Sequence, residues 1–212
     1  MAIVLNTLII NGSGTADLID AAAVSTTSQF VINGLGGADT IVGGEWNDTI
    51  SGGAGKDTIY AGSGKDVVNG DAGNDDIYGG DGNDRLYGGA GDDEIYGGDG
   101  ADVIGGGDGN DWIDGDDGND NISGGAGNDD IFGDYGDDTI NGDAGNDWLY
   151  GYYGDDTANG GAGNDRVYGG DGDDTVQGAG GNDRVYGDDG EDTVLGGAGN
   201  DSLFGGDGDD VL

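Results

Sequence analysis

The sequence contains no cysteine, no histidine and no proline, and its 212 residues set five basic side chains against 45 acidic ones. Without Cys and His, disulfides, thiol chemistry, the usual zinc sites and every His-dependent catalytic triad are excluded. Lys56, Lys65, Arg85, Arg166 and Arg184 are too few and too scattered to track a phosphate backbone, and a net charge of −40 repels anionic surfaces, so no nucleic-acid partner is expected. Long apolar runs are missing too. The longest, Ala2–Ile10, is interrupted by Asn6 and Thr7 and is too short to span a bilayer, so no membrane insertion is expected. A cleaved secretory signal is disfavoured, since no Lys or Arg precedes Lys56. Carboxylate is the chemistry that remains.

Glycine is what the sequence has in excess, with 55 residues. Glycine, acid and few large apolar groups together suggest a disordered chain, but the order of the residues overrules the composition. Collagen is ruled out, because glycine does not recur every third residue and proline is absent. A clean unit reads Gly79-Gly80-Asp81-Gly82-Asn83-Asp84-Arg85-Leu86-Tyr87, or G-G-x-G-x-D-x-U-x with U aliphatic. The position-6 aspartate returns at every ninth residue without a slip: Asp39, Asp48, Asp57, Asp66, Asp75, Asp84, Asp93, Asp102, Asp111, Asp120, Asp129, Asp138, Asp147, Asp156, Asp165, Asp174, Asp183, Asp192, Asp201 and Asp210. The aliphatic position 8 keeps step from Ile41 to Leu212, with Ala158 the one copy smaller than valine. Twenty copies in register point to a solenoid.

Within a copy, x-U-x reads as a three-residue strand with one side chain inward, and the first six residues as a turn. Glycine at positions 1 and 4 suggests backbone angles with positive φ, whereas position 2, which accepts Asp71, Asp116, Asp134, Asp143, Tyr152 and Asp188, reads as permissive. The residue after the aliphatic one alternates between copies. Odd copies carry Val42, Tyr60, Tyr78, Tyr96, Asp114, Phe132, Tyr150, Tyr168, Tyr186 and Phe204, whereas even copies carry mostly small or amide residues from Ser51 to Leu195. Position 3 alternates likewise between Ala and Asp, so the true period is 18. Two nonapeptides per 18-residue coil place odd strands in one parallel sheet and even strands in another, with the aliphatic side chains between them. Coils about 4.8 Å apart would make ten coils a rod of roughly 50 Å. An aromatic column follows on one face, and Thr139, Thr157, Thr175 and Thr193 form a threonine column on the other.

The domain reading is a capping segment at 1–33 and a repeat roll at 34–212. Ala2–Ile10 is expected to be a starting strand covering an open sheet edge. Phe30-Val31-Ile32-Asn33 is a strand of the repeat without its loop, since Ile32 lies nine residues before Ile41. Gly12–Ser28 receives no assignment.

One aliphatic side chain per nine ordered residues is a thin core to set against backbone entropy. Stacking also brings the aspartates of copies i and i+2 together, where like charges repel. A cation between stacked loops answers both difficulties. The donors available are carboxylates and the carbonyls of a bent glycine loop, and such irregular oxygen cages suit Ca2+ better than octahedral Mg2+. Nine gaps on each edge allow at most about 18 ions, enough to offset nearly all of the charge of −40.

From Gly34 to Leu212 the pattern resembles the calcium-binding nonapeptide repeat of the RTX (repeats-in-toxin, haemolysin-type) family. The resemblance implies an all-β, right-handed parallel β-roll with Ca2+ in the turns, exported through a type I system to the cell exterior or surface. It implies that the twenty position-6 aspartates from Asp39 to Asp210 bind metal by side chain while other loop positions offer carbonyls. Trp46 departs from the pattern at position 4, so the site using loop Gly43–Asp48 is expected to be weak or empty. The function implied is an extracellular calcium-binding module. The alternatives are an accessory module of a secreted hydrolase or epimerase, or a surface-binding protein meeting a glycan or a protein with its aromatic face. Intrinsic catalysis is not expected, because the carboxylates stand at metal positions and no non-repeat segment is large enough to hold an active site.

Overall fold

A computed structural model of the chain describes residues 7–22 and 28–212. Those residues form strands and turns only: β1 (Thr7–Asn11), β2 (Leu18–Asp20), β3 (Gln29–Gly36), β4 (Thr40–Gly44), and so on to β21 (Thr193–Gly199) and β22 (Ser202–Asp207). Odd-numbered strands make one 11-stranded parallel sheet and even-numbered strands a second. Each strand pairs with the strand two further on at a residue offset of 18 wherever the repeat is regular, as in Tyr60 with Tyr78 and Thr139 with Thr157. Two repeats per coil is therefore the observed architecture. The aliphatic column from Ile41 to Val194 lies between the sheets, 0–2 % exposed, as one continuous core.

Strands are longer than the three residues anticipated. Arg85–Ala90 is typical: positions 7 to 9 of one copy run on through positions 1 to 3 of the next, with positions 8 and 1 facing inward. Only positions 4 to 6 are left to turn the chain. The pairing steps over position 1, since Tyr96 pairs with Asp114 and Gly98 with Asp116 while Gly97 is skipped.

This corrects the reading of the glycines. Position 1 is not among the residues of positive φ, whereas position 2 is, and there Leu35, Asp71, Asp116, Asp134, Asp143, Tyr152, Ala179 and Asp188 take φ of 65–78°. Position 2 thus demands the left-handed conformation yet accepts side chains, mostly the aspartates that tolerate it best. Position 1 demands glycine for space: a β-carbon on Gly124 would stand 2.3 Å from Asp129 Oδ2 and 3.0 Å from the carbonyl oxygen of Gly142.

The sheet built on β2 and β4 carries the aromatic column outside. Tyr60, Tyr78 and Tyr96 stack with centroids 4.9 and 5.1 Å apart, and Phe132, Tyr150, Tyr168, Tyr186 and Phe204 stack at 4.7–5.3 Å with planes within 7°. Asp114 interrupts the column, and Trp112 leans on Phe132 across the gap. Because the rings cover one another's faces, the column presents mainly edges to solvent. The opposite sheet carries the paired threonines Thr139, Thr157, Thr175 and Thr193.

At the amino-terminal end, β1 pairs with β3 and extends the sheet, with Ile10 opposite Ile32. The anticipated strand over Ala2–Ile10 is observed from Thr7; Ala2–Asn6 lie outside the described residues. The unassigned stretch contains β2, with Ile19 opposite Ile41. Its remaining part at 23–27 also lies outside the described residues. Each sheet accordingly gains a strand beyond the ten that the regular copies supply.

The two glycine roles separate experimentally. Gly124→Val is expected to cost about 2–3 kcal/mol in the metal-loaded protein through overpacking against the Asp129 carboxylate and the Gly142 carbonyl. Gly125→Asn, where an ideal β-carbon would lie 2.2 Å from the Gly107 carbonyl oxygen unless φ moves from +109° to the 65–78° taken by side-chain-bearing residues such as its partner Asp143, is expected to cost less, about 1–2 kcal/mol, because Asn adopts the left-handed region readily. Denaturant midpoints of the two variants check the ordering.

Candidate metal centre

Each turn is tied to the next by the aspartate itself. The backbone N–H of Asp39 donates to Oδ1 of Asp57, that of Asp57 to Asp75, and the relay continues to Asp201 on this edge and from Asp48 to Asp210 on the other, at 2.6–3.1 Å. Around it, the position-4 N–H donates to the position-3 carbonyl one coil on, as Gly55 to Ala72 at 2.7 Å. The position-7 N–H donates to the aspartate carbonyl one coil back, as Thr58 to Asp39 at 2.8 Å. The position-4 glycines close the turn with φ of 119–158°, and from Gly73 onward a β-carbon there would lie 1.4–2.0 Å from the glycine carbonyl oxygen of the coil before.

The structure thereby gathers the twenty predicted aspartates into two columns of ten, one per edge. Asp39 through Asp192 are 0–3 % exposed, whereas Asp201 and Asp210 in the last coil are only half-buried. In those eighteen buried residues the second oxygen, Oδ2, has no hydrogen-bond partner among the described residues. Leaving one such oxygen bare costs of order 1–3 kcal/mol, more if it is charged. A column of them is an instruction for a cation.

The surroundings fit one. Beside Gly88 the Oδ2 of Asp93 and the carbonyl oxygen of Gly106 come close together, and the same pairing of carboxylate and carbonyl recurs beside Gly97, Gly115, Gly133, Gly151, Gly169 and Gly187. All of these are hard oxygen donors, the set that Ca2+ takes. When bound, the ion would supply the positive charge that the bare oxygens and the stacked carboxylates lack.

Burial pushes Asp66, Asp93, Asp120, Asp147, Asp156 and Asp174 up to about 7, with the N–H from the preceding coil opposing and the stacked carboxylates adding to the rise. Burial likewise brings Asp48, Asp75, Asp102, Asp111, Asp129, Asp138 and Asp165 to about 6. Without metal, the folded columns take up protons well above the ordinary carboxylate range.

Three features escaped the sequence reading. Asp17 begins the odd-copy column: its N–H donates to Asp39 Oδ1 at 2.7 Å, so Asp39 is not terminal. Gly12, Asp17 and Ile19 keep the repeat's internal spacing, but Asp17 lies 22 residues before Asp39, and a search locked to nine passes over it. In this copy Ser13 donates its N–H and its hydroxyl to Asp17 Oδ2, at 2.6 and 2.8 Å, satisfying the oxygen left bare in the regular copies. The even-copy column starts instead at Phe30, whose N–H donates to Asp48 Oδ1 and whose buried ring stands where an aspartate would be. Finally, Asp114, Asp116 and Asp134 bring carboxylate oxygens within 4.8 Å of one another where the aromatic column breaks, a half-buried cluster outside both metal columns.

Trp46 departs from the regular turn in its backbone. It lacks the positive φ of the other position-4 residues, and the cradle at Gly64 meets its carbonyl oxygen at 3.0 Å, against 1.4–2.0 Å further along. Asp48 nevertheless stays in line, with its N–H on Asp66 Oδ1 at 2.6 Å.

The repeat is matched among known proteins. The family model described as RTX calcium-binding nonapeptide repeat (4 copies) matches at residues 33–68, 47–77, 69–104, 78–113, 105–134, 114–149, 132–167, 150–185 and 186–212, which together run without a gap. Among solved structures the chain is similar to the X-ray crystal structure of a hyperactive, Ca2+-dependent, beta-helical antifreeze protein from an Antarctic bacterium. The two are 23% identical with a TM-score of 0.42, over 99% of this chain and 85% of that one. No curated protein matches the chain.

Two outcomes follow for the columns. The folded pKa of these aspartates is raised above the ordinary 3.8, so metal-free stability is greatest below about pH 4 and falls as pH climbs through 6 and 7. Circular dichroism in EDTA is therefore expected to gain β-structure on acidification from pH 8 to pH 4. In the metal-loaded protein, Asp120→Ala is expected to lower calcium affinity and cooperativity more than Asp210→Ala, because Asp120 joins coils on both sides while Asp210 accepts from Asp192 alone. Calcium titrations of the two variants compare them directly.

Proposed function

The chain belongs to the family of RTX calcium-binding nonapeptide-repeat proteins, and from that premise we propose that it is an extracellular β-roll whose folding is switched on by Ca2+ after export. The observation that carries this reading is the run of eighteen buried, unpartnered carboxylate oxygens from Asp39 to Asp192. We assign metal binding to the position-6 aspartates, with glycine carbonyls completing each cage and Asp201 and Asp210 closing the two columns. In the same reading residues 1–33 cap the roll formed by 34–212.

The switch follows from charge. Without metal, 45 acidic residues repel one another and the core offers one aliphatic side chain per nine residues, so the chain stays expanded. Extracellular-type sites bind Ca2+ with dissociation constants of about 10⁻⁴–10⁻³ M, far above cytosolic free calcium. The chain thus remains threadable inside the cell, as type I export requires, and folds outside, where an ion that binds only the native state stabilises it by mass action. Each coil contacts its neighbours alone, so order spreads from coil to coil and the transition is steep.

Circular dichroism and small-angle scattering in EDTA, then in millimolar Ca2+, then in millimolar Mg2+, test this. A compact β-rich rod is expected with Ca2+ only. Persistence of the rod in EDTA at neutral pH, or equal rescue by Mg2+, would refute the switch.

A further inference from the structure

The two metal columns share their inner geometry and differ in what lies outside them. Apart from position 6, the even-copy turns carry fifteen acidic residues at positions 2, 3 and 5, and the odd-copy turns four: Asp71, Asp92, Asp108 and Asp143. The contrast is sharpest at the exposed position 5. On the even edge Asp137, Asp155, Asp173 and Glu191 stack, each accepting or donating through a backbone N–H at 2.9–3.1 Å. On the odd edge Asn128, Asn146, Asn164 and Asn182 make the same backbone bonds at 2.9–3.0 Å. The amides add a side-chain ladder at 2.9–3.0 Å. From Asp137 onward one edge repeats a carboxylate at position 5 of each coil, where the other repeats a neutral amide.

Resting on the calcium reading above, we propose that the columns are two classes of site. The even-copy column from Asp138 to Asp192, whose turns carry the position-5 carboxylates, holds Ca2+ more tightly, and the odd-copy column beside it, from Asp129 to Asp183, more weakly. The ligand is the same ion on both edges. Behind each position-5 carboxylate of the even edge stands a buried aspartate with a bare Oδ2, so the outer charge lies one residue from an inner donor that lacks a partner. Coils are about 4.8 Å apart, so each ion meets outer carboxylates from two coils within one Debye length. Two to three such charges acting on a divalent ion through water amount to roughly a fivefold to tenfold difference in affinity at low ionic strength. The difference shrinks as salt is raised.

The opposing expectation is that stacked surface carboxylates repel one another and weaken their edge. Asn at position 5 would then help by removing charge and extending the amide ladder. The two expectations differ in sign.

The test is stopped-flow release of Ca2+ from the full, calcium-loaded chain into excess chelator, at low salt and again at about 0.5 M NaCl. Wild-type release is expected in two phases that converge at high salt. Combined Asp137→Asn, Asp155→Asn, Asp173→Asn and Glu191→Gln is expected to accelerate the slower phase about fivefold to tenfold. Combined Asn128→Asp, Asn146→Asp, Asn164→Asp and Asn182→Asp is expected to slow the faster phase, and it decides the matter if the first variant does not fold. A single wild-type phase overturns the proposal, as does slower or unchanged release from the first variant or faster or unchanged release from the second. Equilibrium dialysis on the same samples separates this outcome from failure of the calcium reading itself, which would leave no bound Ca2+ at all.

Discussion

The structure depends on a conflict between burial and charge. Stacking coils at sheet spacing is the only way this chain covers its single aliphatic column, and the same stacking buries a carboxylate at every turn on both edges. One oxygen of each carboxylate is absorbed by the N–H of the coil before. The other is left bare inside the protein, where solvent cannot reach it. Cation binding and chain folding are therefore one event, since the geometry that makes the fold also creates the need for the ion.

Glycine makes that conflict possible and is used in two ways. At position 4 and position 2 it provides positive φ, and at position 2 that requirement is soft enough for aspartate, leucine and tyrosine to meet it. At position 1 it provides nothing but room, because the backbone of the next coil and the aspartate of the same loop occupy the place of a β-carbon. Ala61, the one substitution at position 1, is a methyl and no more. A strict position and a strained position are different things in this repeat.

A flattened solenoid of this kind has four long sides, and the 18-residue period lets each carry its own chemistry. One sheet presents ring edges in a self-stacked column and the other threonines and small polar residues. One row of turns is richer in amide and alanine, the other in acidic residues. None of this alters the backbone, which is why the interior repeats strictly while the exterior diverges with the parity of the copy.

Much of this was legible in the sequence. The nine-residue recurrence of Asp and aliphatic side chains, and the alternation of Tyr with small residues after them, determined a two-sheet solenoid with carboxylates collected at its turns. These signals survive in one dimension because every coil solves the same problem with the same residues. The tertiary structure alone decided the rest. Only the stack showed that position 1 is held by crowding from the next coil, that Asp17 joins a column from 22 residues away, and that Phe30 fills an aspartate's place. It alone left Oδ2 bare while Oδ1 found a partner. The physical reason is that each of these rests on contacts between coils, and two residues 18 or 22 apart become neighbours only once the chain has wound past itself.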